Sequence, residues 1–354
     1  MKRLLAGLSV VVLLGGLTSC AEDDQAPVNS KSIDQDKITV PTDFPAVPVP
    51  SDNPFTQAKA DLGRHLFYDT RLSTNGQLSC ASCHQVANGF SDVGKDVSIG
   101  VNQARGTRNA SSLSNIAYQQ NFFWDGRRHS LEQQAFDPVL NPIELGASTQ
   151  AEVAKILTKL NQEPKYKTLF TNAFGDDRID VDRISKAIAS FERTMISGNS
   201  EYDKWRRKDP TAQFGEAEKR GLTLFLDSNT NCSRCHEGVN FTDDKFHSTG
   251  IERVYGDGGL EMITNRPEDN GKFKTPSLRN VALTAPYDHN GMFKDLKEII
   301  KHYNEGGMKN FTQDSLIHQL NLSDAQVNDI VAFLNSLTDR DFINNKAFKN
   351  PWKE

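Results

Sequence analysis

Apolar residues recur at helical spacing in several stretches of the 354-residue chain. Ile184, Ile188, Phe191 and Met195 form one stripe, and Val153, Ile156, Leu157 and Leu160 form another. A third runs through Val327, Ile330, Val331, Leu334 and Leu337, with Ser323 and Gln326 placed as a capping box at its start. Leu296, Ile299, Ile300 and Tyr303 make a fourth. Strict alternation, the mark of a half-buried strand, is scarce, whereas loops rich in Gly, Asn and Asp are plentiful. The pattern predicts a mainly α protein with long loops and little β.

The pattern also repeats. Gly63-x-x-Leu66-Phe67-x-Asp69 returns as Gly221-x-x-Leu224-Phe225-x-Asp227. Self-similarity at this distance points to two related modules rather than a solenoid array. Ser197-Gly198-Asn199-Ser200 interrupts the helical pattern, so the modules are expected at 55–200 and 201–354.

The N-terminus adds a location. Lys2 and Arg3 precede an apolar run from Leu4 to Gly16, followed by Leu17-Thr18-Ser19-Cys20. Residues 1–19 read as a secretory signal, and its end resembles the bacterial lipobox, in which the cysteine, here Cys20, becomes the lipidated N-terminus. The alternatives are an ordinary signal peptide or one anchor helix, for which the run is short against a span of ~20 residues. Residues 20–54, with Pro41, Pro45, Pro48, Pro50 and Pro54, are expected as an extended tether with an adherent end. Removal of Lys2 and Arg3 leaves 39 of the 41 basic residues against 46 acidic ones. That acidic balance argues against nucleic acid and permits a basic redox partner. A lipid-anchored protein on the periplasmic side of a bacterial membrane is expected.

Two short segments carry the chemistry: Cys80-Ala81-Ser82-Cys83-His84 and Cys232-Ser233-Arg234-Cys235-His236. Each is the c-type haem attachment signature, in which both thiols become thioethers and the histidine is the proximal iron ligand. A zinc site would want its two Cys pairs roughly 15–20 residues apart, and these lie much further apart. Four of the five cysteines are thereby assigned, and the fifth is Cys20. Two haem c groups are the expected cofactors, and haem attachment outside the bacterial cytoplasm agrees with the signal. Two haems alone make a carrier as readily as an enzyme, because a carrier needs both irons saturated and a catalyst needs one open face beside an acid/base.

The blocks between the motifs resemble those of the bacterial di-haem cytochrome c peroxidase family, which includes the MauG-type enzymes. They are Arg71-Leu72-Ser73-x-Asn75-Gly76, Thr107-Arg108-Asn109-Ala110, Phe123-Trp124-Asp125-Gly126-Arg127 and Asn141-Pro142-Ile143-Glu144 in the first module. In the second they are Lys274-Thr275-Pro276-Ser277-Leu278-Arg279-Asn280 and Thr284-Ala285-Pro286-Tyr287-x-His289-x-Gly291. The resemblance implies two cytochrome c-like domains, the first peroxidatic and the second for electron transfer. It implies Glu144 as distal acid/base, with Gln134, Pro138 and Phe123 lining that pocket, and Trp124 as a relay between the haems. It implies Ca²⁺ bound through oxygens of Asn109, Thr284 and Pro286, hard donors of the type that ion takes. A homodimer is likewise expected from the resemblance.

Two departures stand out. Where many relatives cap the resting first iron with a histidine, this chain aligns Val101, which cannot ligate, and no histidine occurs between His84 and His129. The first haem is therefore expected to be open in the ferric state, unless His129 or a more distant group serves. Fourteen residues after His289, where typical peroxidases place a methionine ligand of the second haem, stands Tyr303, as in MauG-type enzymes. Met292, Met308 and His302 are the competing ligands. An oxygen donor favours higher oxidation states than a thioether does, so the two irons could share two oxidising equivalents. The tryptophan that MauG uses close before the second motif is missing, because Ser228-Asn229-Thr230-Asn231 holds no aromatic. The expected function is reduction of H₂O₂ with electrons from a small cytochrome c or copper protein. The alternatives are a MauG-like oxidase and a di-haem carrier.

Overall fold

The computed structural model describes residues 38–353, all within one unit, Gln35–Glu354. The signal segment and Cys20 lie outside the described residues. No helix among the described residues is long and apolar enough to cross a membrane.

The regular structure is almost entirely helical, joined by long loops. The first module runs through α1 (Gln57–Phe67), α2 (Cys80–Cys83), α3 (Leu131–Gln134), α4 (Asp137–Leu140), α5 (Gln150–Asn161), α6 (Pro164–Phe174) and α7 (Val181–Glu192). Then come α8 (Glu201–Arg206), α9 (Glu216–Leu226), α10 (Cys232–Cys235), α11 (Glu261–Thr264), α12 (Leu296–Glu305), α13 (Asp324–Asn335) and α14 (Arg340–Asn344). The one sheet among the described residues is a ribbon of β1 (Phe246–His247) antiparallel to β2 (Phe273–Lys274), with Phe246 opposite Lys274.

The stripes become the cores. Ile184, Ile188 and Phe191 of α7 are buried, and Met195 is buried three residues beyond the helix end. The Ser323–Gln326 capping box starts α13, whose Val327, Ile330 and Leu334 are buried. Each such side chain contributes about 1.5–3 kcal/mol on burial.

The repeat is structural as well as sequential. α1 crosses α7 at Gly63, where a Cβ would meet Ala187 O at 1.9 Å and Phe191 Cβ at 2.9 Å. α9 crosses α13 at Gly221, where a Cβ would meet Asp329 O at 1.9 Å and Phe333 Cβ at 2.9 Å. Only glycine permits either crossing. The N–H of Asn115 donates to Met195 O at 2.8 Å, and that of Asn280 to Leu337 O at 3.2 Å, both asparagines sitting at φ 58. The register Ala187/Asp329, Phe191/Phe333, Met195/Leu337 is thus fixed.

The tail departs from the expected 201–354 module. Phe342 and Phe348 belong to the first core, 5.7 Å from the Phe90 ring in each case and 5.2 Å from each other. Trp352 packs on Tyr166 at 5.7 Å. Aromatic area covering the α1–α7 crossing stabilises this return more than a local continuation of the second core could. Residues 38–54 lie against the body: Phe44 is buried, Asp43 pairs with Arg206 and Arg207, and Pro48 O accepts from Arg193 Nε.

Candidate active site between two Cys-x-x-Cys-His turns

α2 is a single turn, so Cys80 and Cys83 share a face and His84 closes it, its N–H donating to Cys80 O at 3.0 Å. α10 repeats this with His236 and Cys232 at 2.9 Å. His84 Nδ1 pairs with Phe90 O at 2.9 Å, and His236 Nδ1 with Phe241 O at 3.0 Å. With Nδ1 donating, each Nε2 carries the lone pair, which is how a metal-bound imidazole is oriented. Burial holds both imidazoles below their ordinary pKa and so neutral. All four thiols are free. Together these groups line one cavity of ≈ 1110 Å³, more than the ~300–1,000 Å³ of a single small-molecule pocket. Free thiols, neutral imidazoles and mostly apolar walls fit a haem c at each motif.

Over the first motif the cavity is lined by Glu144, Gln134, Pro138 and Phe123. Glu144 is set by an Asx turn. Asn141 Oδ1 accepts from the Ile143 N–H at 2.9 Å, while Asn141 Nδ2 donates to Glu144 Oε1 at 2.6 Å. Burial pushes the Glu144 carboxyl up, and Arg127 and Asn141 pull it partly back. Arg127 lies 3.4 Å over the Phe123 ring. Gln134 Oε1 is buried without a hydrogen-bond partner. Val101 is buried, with its N–H on Glu144 O at 2.9 Å, but the cavity wall takes Ser98 and Gly100 from that loop and not Val101. His129 is exposed, its Nδ1 at 3.1 Å from Asn121 Oδ1, and is no part of the wall.

The second motif faces Tyr303, which lines the same cavity. Its phenol makes no hydrogen bond among the described residues, and burial pushes its pKa well up. Met292 and Met308 are exposed away from the cavity, and His302 commits Nε2 to Thr249 O at 2.9 Å. The repeat explains the difference between the two halves. Bridges Phe122–Arg128 and Tyr287–Phe293 precede caps Ser130 and Asp295, so Trp124 matches His289 and Pro138 matches Tyr303. α12 runs unbroken to deliver Tyr303, whereas α3 stops at Gln134 and the chain restarts at α4 around Pro138. Proline interrupts the ladder and offers no ligand atom.

Trp124 and His289 meet between the motifs, ring centroids 6.4 Å apart. Trp124 Nε1 donates to Asn109 O at 2.9 Å, and the Asn109 N–H donates to His289 O at 2.6 Å. His289 stacks on Phe273 at 3.6 Å and pairs through Nδ1 with Asp288 Oδ1 at 2.7 Å. Asn109 directs its side-chain N–H groups to the Lys95 and Asp96 carbonyls, which leaves its Oδ1 without a hydrogen bond. Asn109, Thr284 and Pro286 all line the cavity, and as a set of hard oxygen donors they suit Ca²⁺.

Comparison with known proteins agrees with this geometry. Residues 57–211 match the family model of di-haem cytochrome c peroxidase, and residues 218–338 that of cytochrome c. The methylamine utilization protein MauG of Methylophilus methylotrophus is 36% identical over 293 residues, 82% of this chain and 86% of that protein. The cytochrome c peroxidase Ccp of Escherichia coli is 36% identical over 83% of this chain and 61% of its own length. A crystal structure of a MauG-like protein associated with microbial copper homeostasis superposes with TM-score 0.83 at 36% identity, covering 88% of this chain and 98% of that one. This chain belongs to the di-haem cytochrome c peroxidase family.

In this di-haem protein each half is a cytochrome c-like domain. Sequence reasoning missed three features of its site. Asn141 gives no signal of its own beyond its place in the Asn141-Pro142-Ile143-Glu144 run. Glu192, at the end of a helical stripe, gave no signal. His247 is held between Asp243 (3.0 Å) and Asp314 (2.6 Å) beside Cys235, and its partners are far apart in sequence. Cys235 is part of a haem signature, so this trio is no separate metal centre.

Proposed function

We propose that the protein reduces hydrogen peroxide, H₂O₂ + 2 e⁻ + 2 H⁺ giving two waters, with electrons from a small c-type cytochrome or cupredoxin. The observation that carries this reading is Glu144, a mostly buried carboxyl facing the first motif's cavity beside the unpartnered Oε1 of Gln134. The haem anchored by Cys80, Cys83 and His84, when bound, supplies the iron that coordinates peroxide and passes it electrons. Glu144 takes the proton of the inner oxygen and returns it to the outer one, which makes water the leaving group. Burial raises its pKa above that of an exposed carboxylate, which makes the protonated form easier to reach. Asn141 holds the carboxylate in place, the charge of Arg127 favours its ionised form, Gln134 orients the bound oxygen, and Phe123 and Pro138 keep bulk water away. No imidazole other than His84 lines this half of the cavity, which supports an open site. His236 and Tyr303 would hold the second iron, and Trp124 would couple the two halves. Asn109, Thr284 and Pro286 would hold Ca²⁺ where the domains meet. Cys20 would tether the protein on the periplasmic side.

A MauG-like oxidation of an organic or protein substrate is the second reading, favoured by Tyr303 and by the MauG relatives. A pure carrier gives no reason for Glu144 and Gln134 to face the cavity. Stopped-flow mixing of the ferric protein with peroxide tests the proposal. A rapid spectral change without prior reduction is expected. Inertness in every redox state would overturn it, and reaction only after partial reduction would overturn the open site.

A further inference from the structure

α7 ends in a residue that the repeat marks as out of place. In the second module the position after Phe333 is Leu334, a buried apolar side chain on the cavity wall. Its counterpart after Phe191 is Glu192, equally on the cavity wall, 3% exposed, with Oε2 buried and unpartnered. One module packs its haem site with a hydrocarbon, and the other places an unsatisfied carboxyl there. Leaving a buried polar atom without a partner is destabilising, so the leucine of the second module is the stable solution and the glutamate needs another reason.

We propose that Glu192 is a redox-linked proton site of the first haem, taking up one proton from solvent when that iron gains one electron from a one-electron redox protein and releasing it on re-oxidation. The inference requires a haem at Cys80–His84 and is independent of which substrate is oxidised or reduced. An added electron makes the site more negative, and in a dry cavity an adjacent carboxylate then becomes costlier than a carboxylic acid. The Glu192 carboxylate lies near enough to Cys80 of the first motif to raise that thiol's pKa. The charged neighbours leave the carboxyl free to titrate. Arg193 is next in sequence but is paired with Glu132 of α3 at 2.6 Å, and Lys59 of α1 is bonded to Asn53 Oδ1 and Pro54 O. Glu144, which lines the same cavity, is held by Asn141, and Asp125 and Asp257 of the wall are paired with Arg108. Burial pushes the Glu192 carboxyl up to about 8, with Arg193 opposing, so both protonation states are reachable near neutrality.

Spectroelectrochemical titration of the full di-haem protein between about pH 6 and 9 reads this directly, because coupled protons appear as a pH-dependent potential. The first haem's potential is expected to fall with pH with a slope approaching one proton per electron, while the second haem's stays flatter. Glu192→Gln and Glu192→Leu, the latter copying Leu334, should abolish that slope with both haems still attached. A flat first-haem potential in the native protein would overturn the proposal, as would a slope that survives both substitutions or one lost in Glu144→Gln instead. Indifference to peroxide with the slope intact would sink the peroxidase reading and leave this one standing.

Discussion

Asn141 holds Glu144 from one side through its 2.6 Å hydrogen bond from Nδ2 to Oε1, and Arg127 favours the same charged form. Removing the amide takes away a stabiliser of the carboxylate, so the pKa of Glu144 moves further up. If turnover begins with Glu144 ionised, the acid limb of kcat/KM against pH shifts to higher pH in Asn141→Leu. Activity on the acid side then falls and recovers as pH rises. Glu144→Gln should lose ~10²–10⁴ of peroxide turnover at all pH values. An unmoved acid limb in Asn141→Leu would remove the amide from proton transfer.

Tyr303 alone among the competing groups lines the cavity with an uncommitted donor atom. Tyr303→Phe is expected to change the optical and EPR signature of the second haem and leave the first untouched. An unchanged spectrum would transfer ligation to another residue. His302→Gln should disturb neither, because that imidazole serves the Thr249 carbonyl.

Calcium, if held by Asn109, Thr284 and Pro286, fixes the segment whose main chain accepts from Trp124 Nε1. Chelation should therefore lower the melting temperature and slow electron exchange between the haems. Metal analysis showing no calcium in active protein would end that reading.

Arg279 and Asp203 form an ion pair with both side chains fully buried at 2.5 Å, and Arg279 also donates to Val239 O. Removing one partner strands the other, so Arg279→Leu is expected to cost about 3–5 kcal/mol in chemical denaturation. Arg279→Leu combined with Asp203→Leu should recover part of that loss. No recovery would mean that the guanidinium acts through Val239 instead of the ion pair.

Glu192 also predicts a stability profile. Its folded pKa, about 8, lies above the ordinary 4.5, so its contribution is fully present below the ordinary value and lost as pH rises through 8. Glu192→Gln should flatten the decline of the urea midpoint between about pH 4.5 and 8. A parallel decline in native and variant protein would assign it to other groups.

The sequence alone determined what is local. Two Cys-x-x-Cys-His runs fix the cofactor because covalent attachment needs only neighbours one helical turn apart. Helical periodicity fixed α5, α7, α12 and α13, because a stripe of apolar side chains has one way to be buried. Tertiary structure decided what depends on distant partners. Phe342 and Phe348 close the first core from the far end of the chain, Asp243 and Asp314 converge on His247, and the pairing of Pro138 with Tyr303 emerges only once the two halves are in register. Burial settled the rest. Glu192 carries no motif and reads as surface, and only the packing of α7 against α1 turns it inward, where water can no longer satisfy it.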